Sequence, residues 1–245
     1  MNSEIGFTVV ALLTIMSFLY SSVGHGGASG YLAVMGLFSF TPAIMKPTAL
    51  LLNIIVSAIA FLFYYRAHLF KWKLFYPFAI TSIPFSFLGG FIKIDATYYK
   101  LLLGIILVFS VIRILFFFKK EAEQLHLISI PKALIIGAFI GFLSGLLGIG
   151  GGIILSPVIL ILGWATMKQT AAVSALFIFV NSIAGFLGFV SNGGSLPHYM
   201  LPVVLLVCAG GIVGSYVGTK KMNTLTLRYV LSLVLLVASI KLMII

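Results

Sequence analysis

The sequence predicts an all-α polytopic membrane protein built as two inverted repeats, each a glycine-broken re-entrant helical hairpin followed by three transmembrane helices. Three observations point there. Of the 245 residues, 62% are hydrophobic and only 8% charged, against roughly 25% charged in a soluble domain, and mean hydropathy is +1.25. The charges fall at intervals that suit helices of roughly 20 residues crossing a core about 30 Å thick. Finally, two glycine clusters, SSVGHGGASG at 21–30 and GFLSGLLGIGGG at 141–152, sit inside the long uncharged stretches 5–45 and 133–167.

The elements follow in chain order. The start, MNSEIGFTVV, has no basic n-region and no small-residue cleavage site, so it reads as the first membrane segment and not as a removable signal. The first repeat, 1–120, then holds a hairpin over about 5–45 and helices over about 47–66, 73–92 and 97–118. A cytoplasmic linker, 121–132, lies in the mixed-charge stretch FFFKKEAEQLHLISIPK. The second repeat, 133–245, holds a hairpin over 133–167 and helices over about 169–190, 197–218 and 224–244. Runs such as LLLGIILVFSVIRILFFF lack the alternation of an outer-membrane barrel. The single cysteine, Cys208, has no partner for an internal disulfide and reads as a small apolar core residue.

Landmarks recur between the halves in the same order. Ser22 matches Ser144, and Met45-Lys46 matches Met167-Lys168. Pro77 with Gly89 matches Pro202 with Gly214, and Lys100 with Arg113 matches Arg228 with Lys241. Internal repetition of this kind marks duplicated architecture. The basic residues then decide how each glycine-broken segment runs. If each crosses twice, the two sides receive 7 and 8 of the 15 basic residues. If each is a hairpin returning to its own side, Arg66, Lys71, Lys73, Arg113, Lys119, Lys120, Lys132, Lys168, Lys220, Lys221 and Arg228 share one side, and Lys46, Lys93, Lys100 and Lys241 lie opposite. The 11 to 4 split matches the positive-inside rule. It places both termini outside and inverts the second half relative to the first, the plan of inverted-repeat transporters.

Glycine at the tip supplies the turn and lets backbone approach a ligand closely. Non-helical backbone within a bilayer survives only where protein or a water-filled cavity satisfies it. The second arms would begin near Ser29 and Ile153, each presenting unpaired amides and about half a positive charge. Two such ends facing one cavity make an anion site without a buried lysine. The candidate site residues are therefore Gly24, His25, Gly26, Gly27 and Ser29 in the first tip and Gly148, Gly150, Gly151 and Gly152 in the second. Asn53, Ser174 and Asn181 join them as polar residues at depth, because an amide donates to an anion at less cost than a buried charge. The glycines are also compatible with close helix packing alone, and the asparagines with interhelical hydrogen bonds. His25 is placed to titrate during transport or to pack as a neutral imidazole.

Other functions are excluded by what the chain lacks. Its four acidic residues, Glu4, Asp95, Glu121 and Glu123, fall at expected membrane edges or loops, whereas proton relays and cation pumps place carboxylates at depth. There is no paired carboxylate, no His/Cys metal cluster and no Ser-His-Asp grouping, so neither an enzyme nor a cofactor is expected. The formal net charge of +11 suits anionic lipids and attracts anions, and no nucleic-acid pattern is present.

The motif GLLGIGGGIILSPVIL followed by WATMKQTAAVSALFIFVNSIAG resembles the second-half motif of the sulfite exporter TauE/SafE family of membrane permeases. GHGGASGYLAVMGLF followed by KPTALLLNIIVSAIAF resembles its first-half counterpart, with His25 inside it, Ala28 in place of a glycine and no proline matching Pro157. The resemblance covers nearly the whole chain. It implies a multi-pass permease of the bacterial inner membrane that moves sulfite, organosulfonates or related small organic or sulfur-containing anions. The expected partners are a small anionic substrate and membrane lipids, and the plan admits a homodimer. A passive anion channel is the first rival reading. A membrane-embedded enzyme or assembly subunit is the second.

Overall fold

The computed structural model describes residues 3–22, 26–116, 125–195, 200–218 and 224–244. Within them the chain is all helix, without a strand. The first half contains α1 (Ser3–Ser22), α2 (Ala28–Leu37), α3 (Pro42–Arg66), α4 (Trp72–Phe91) and α5 (Ala96–Phe116). The second contains α6 (Ile130–Leu147), α7 (Gly152–Ile161), α8 (Met167–Ser191), α9 (Met200–Gly218) and α10 (Thr224–Ile244). Lengths of 20, 10, 25, 20 and 21 residues in the first half are followed by 18, 10, 25, 19 and 21 in the second. Over their described residues α3, α4, α6 and α8 are each long and apolar enough to cross a membrane. The chain is a polytopic helical membrane protein. Gly24 and His25, the loop lysines Lys119, Lys120, Lys220 and Lys221, and Glu121 and Glu123 of the expected linker lie outside the described residues.

Local sequence sets the helix ends. Thr41 and then Pro42 open α3, and Pro131 stands in the first turn of α6, where a missing N–H costs nothing. Thr166 and Gln169 form a reciprocal capping box on α8. The Asp95 carboxylate accepts the Thr97 N–H at 2.7 Å at the start of α5, which holds that carboxyl below the usual carboxylate range. Leu147 ends α6 because Gly148, at φ +79°, takes the left-handed conformation and donates its N–H back to the Ser144 carbonyl.

Packing exchanges elements between the halves. α6 lies along α4, and α1 lies along α9. Gly137, Gly141 and Gly145 rest on the backbone of Phe78, Ser82 and Ser86 in turn, so α4 and α6 run in the same direction. Gly210 and Gly214 rest on Thr14 and Phe18 in the same way. Glycine at these contacts lets the backbones touch, which van der Waals packing in a membrane rewards. The long helices α3 and α8 pack against each other, with α4 on α8 and α9 on α3. Their facing sides hold fully buried polar groups, among them Asn53, Ser57, Ser174, Asn181 and Ser182.

The helix pairs α1 with α2 and α6 with α7 each combine a long helix with a short one. The long arm α6 reaches the start of α5, where the Tyr99 hydroxyl donates to the Leu147 carbonyl at 2.8 Å. The short arm α7 returns, and the His126 N–H, just ahead of α6, donates to the Gly163 carbonyl just beyond α7 at 2.8 Å. Trp164 then packs on Phe78, the rings tilted with centroids 6.0 Å apart. The start of α6 and the end of α7 are therefore joined by the His126–Gly163 backbone bond.

Candidate functional site

The glycine turns converge from opposite halves on one asparagine. In the second turn Gly148, Gly150 and Gly151 all have positive φ, at +79°, +71° and +75°, a region that side chains with a Cβ rarely enter. In the first, Gly27 has φ +83°. Gly27 is the N-cap of α2 and Gly151 the N-cap of α7, and neither helix start receives a side-chain cap. The first-turn amides of both helices therefore depend on other partners.

Between the turns stands Asn53 of α3, fully buried. A Cβ added to Gly26 would lie 3.2 Å from its Oδ1, and one added to Gly150 would lie 2.6 Å from its Nδ2. The amide is thus held between the two turns, its two ends directed at different halves of the chain. Among the described residues neither Asn53 amide atom has a hydrogen-bond partner, and neither does the Ser182 hydroxyl, which would lie 3.3 Å from a Cβ at Gly150. Leaving such a group unpaired costs roughly 1–3 kcal/mol, so unpaired polar atoms at one point call for an explanation.

Ile178 of α8 closes the gap. Its side chain touches the space above Gly26 at 3.0 Å, Gly150 at 2.8 Å and Gly152. Around Asn53 and Ile178 lies a narrow cleft of only ≈ 10 Å³, lined also by Tyr20, Gly26, Gly27, Ser29, Ile149 and Ile153. The Ser29 hydroxyl donates to the Tyr20 hydroxyl at 2.8 Å, which fixes that wall of the cleft.

The remaining polar candidates do other work. Ser174 shares a hydrogen bond with Ser156 at 2.9 Å and so ties α7 to α8 behind the turn. Asn181 donates through Nδ2 to the Ser82 hydroxyl at 3.0 Å and to the Phe177 carbonyl of its own helix at 2.8 Å, and its backbone carbonyl accepts from Ser86 at 2.7 Å, while among the described residues its Oδ1 has no hydrogen-bond partner. The bonds to Ser82 and Ser86 join α8 to α4. Gly148 lies apart from the cleft, under the backbone of Lys46. Sequence reasoning did not single out Ile178, Ser182 or Tyr20. A serine directly after Asn181 was the available signal for Ser182, but an isoleucine in an apolar helix gives none.

Broken helices whose ends meet buried, unpaired polar groups inside an apolar bundle are the architecture of a membrane transporter. Comparison with known proteins agrees. The model of the family described as "Sulfite exporter TauE/SafE" matches residues 9–242, and the chain belongs to that family. It is 40% identical over 245 residues to "Probable membrane transporter protein y4hK" of Sinorhizobium fredii, covering 98% of this chain and 96% of that protein. It is 28% identical over 204 residues to "Probable membrane transporter protein MJ0441" of Methanocaldococcus jannaschii, covering 77% and 74%. It is also 24% identical over 224 residues to "Probable membrane transporter protein YdhB" of Bacillus subtilis, covering 88% and 89%. No solved structure matches the chain.

Proposed function

We propose that this protein is an inner-membrane permease for small anions, of the sulfite, organosulfonate or related type, with its substrate site between the two glycine turns. The observation that carries the reading is Asn53, buried and unpaired, between Gly26 and Gly150. An anion there would accept from its amide and face the starts of α2 and α7, each worth about half a positive charge. No buried cation is needed, and backbone donors bind an anion without holding it as a salt bridge would. The family description, sulfite exporter, supports the substrate class.

In this reading residues 1–120 and 133–245 are inverted repeats joined by 121–132, and each hairpin enters from and returns to its own face. The His126–Gly163 bond, the repeated helix order and the exchanged pairings α4 with α6 and α9 with α1 support it. Tips that enter from opposite faces and meet at the midplane fit alternating access. Ile178, filling the space between them, favours a carrier over an open channel.

Proteoliposomes containing the purified protein test the proposal with a panel of sulfite, sulfonates, thiosulfate and carboxylates. A carrier gives saturable flux of sulfite or a sulfonate. Single-channel currents that do not saturate would support a passive channel instead, and flux of none of the panel would overturn the substrate class.

A further inference from the structure

A second, larger cavity lies away from the cleft. It has a volume of ≈ 240 Å³ and opens where α3 begins and where α4 and α8 end. Lys46 of α3 forms part of its wall, although it is only 7% exposed. Its ammonium donates to the last carbonyls of α4, at 2.8 Å to Gly90 and 3.2 Å to Gly89, and reaches Ile92 only at 3.4 Å. The first two bonds hold the charge in place at a helix C-terminus, where a cation is favoured. The third is the longest and weakest, the one an acceptor entering the cavity would displace. Lys93 and Asn192 also line the space, and among the described residues that line it none is acidic. The rest of the wall is apolar, with Leu146, Phe189 and Ile94, and the ammonium stands 5.9 Å from the Phe189 ring.

We infer that this cavity binds a small organic anion, its charged head at Lys46 and Lys93 and its hydrocarbon part against Phe189 and Leu146. A bare inorganic anion would leave the apolar wall unused. The backbone of the same lysine meets the second glycine turn: a Cβ at Gly148 would lie 3.0 Å from the Lys46 carbonyl. The binding does not rest on the permease reading.

Cysteine chemistry reads the site without requiring transport. Ile94→Cys in a Cys208→Ser background places one thiol in the cavity wall. It is reacted with sulfonatoethyl and trimethylammonioethyl methanethiosulfonate, and the ratio of rates is compared with that of a free thiol. A cationic site favours the sulfonate reagent by about fivefold, the gain expected from one nearby charge of partial screening. Lys46→Gln should remove most of that preference, and Lys46→Arg should keep it, which separates charge from fold. Ethanesulfonate should slow the labelling more than sulfate does at equal concentration. A ratio equal to that of the free thiol in the Ile94→Cys protein, where Lys46 is untouched, overturns the site. Equal protection by sulfate overturns the organic assignment. If preference and protection persist while no sulfonate is transported, the permease reading falls and the binding site stands.

Discussion

Asn53 and Gly150 are separated by nearly a hundred residues, yet a single carbon added to Gly150 would stand 2.6 Å from the Asn53 amide nitrogen. This proximity ties a helix of the first half to the turn of the second. It makes the side chain of Asn53 the sharpest probe of the site.

Asn53→Leu keeps the branched shape in a larger side chain and removes both unpaired amide atoms. Saturable flux at matched protein levels should fall at least about tenfold, the loss of one charge-assisted hydrogen bond, while thermal stability holds or rises. Asn181→Leu should behave in the opposite sense. It breaks the bond to Ser82, so it should lower the unfolding temperature more than the flux. Equal effects of the two on flux would remove the distinction between site and scaffold.

Ile178 separates the turns, so its size should govern passage. Ile178→Ala opens the cleft and should admit larger sulfonates, seen as a shift of the preferred substrate toward longer chains in competition assays. Ile178→Trp should block flux while leaving membrane insertion unchanged. Unaltered selectivity in the alanine variant would show that the gate lies elsewhere.

Gly145 tests packing alone. Its missing Cβ would collide with the Ser86 carbonyl where α4 and α6 run together, and overpacking of this kind costs about 1–3 kcal/mol. Gly145→Val should therefore lower the unfolding temperature in detergent. Gly193→Ala makes the control: its φ is +75° but nothing lies within 4 Å of the added carbon, so only backbone strain of about 1–2 kcal/mol applies and flux should persist. A Gly145→Val protein as stable as its parent would mean the α4–α6 contact is looser than described.

Topology follows from the basic residues, with the stretches 119–132 and 220–228 expected in the cytoplasm. In a Cys208→Ser background, Lys120→Cys should be unreactive toward an impermeant reagent added to intact cells and reactive in inverted vesicles. Labelling from outside would end the arrangement of two inverted hairpins.

How much of this could be read from the residues themselves follows from what each signal depends on. The membrane class depends on composition, which is local, so it was fully legible. Helix ends at Leu147 and Gly152 are likewise local, because Gly148, Gly150 and Gly151 alone tolerate the positive φ of the turn. Partnership across the chain is not local. Asn53 and Asn181 look alike as lone amides in apolar helices, and only the fold shows one facing the turns and the other bonded to Ser82. Lys46 looked like a charge at a membrane edge. Its use as a cap on α4 depends on helices meeting at a distance of more than forty residues. Ile178 was invisible for the plainest reason, since one isoleucine among many in an apolar helix has no distinguishing neighbour.

The most direct test is flux through Gly150→Val, measured in proteoliposomes at matched protein content with the substrate that gives the largest wild-type signal. The added side chain cannot readily hold φ +71°, and its Cβ would press on Asn53 and Ile178. The apolar length that drives insertion is unchanged. Flux should drop to the level of empty liposomes while the protein remains in the membrane at its normal amount. Normal, saturable flux through Gly150→Val would show that the turns serve only to pack helices, and that the anion passes by another route.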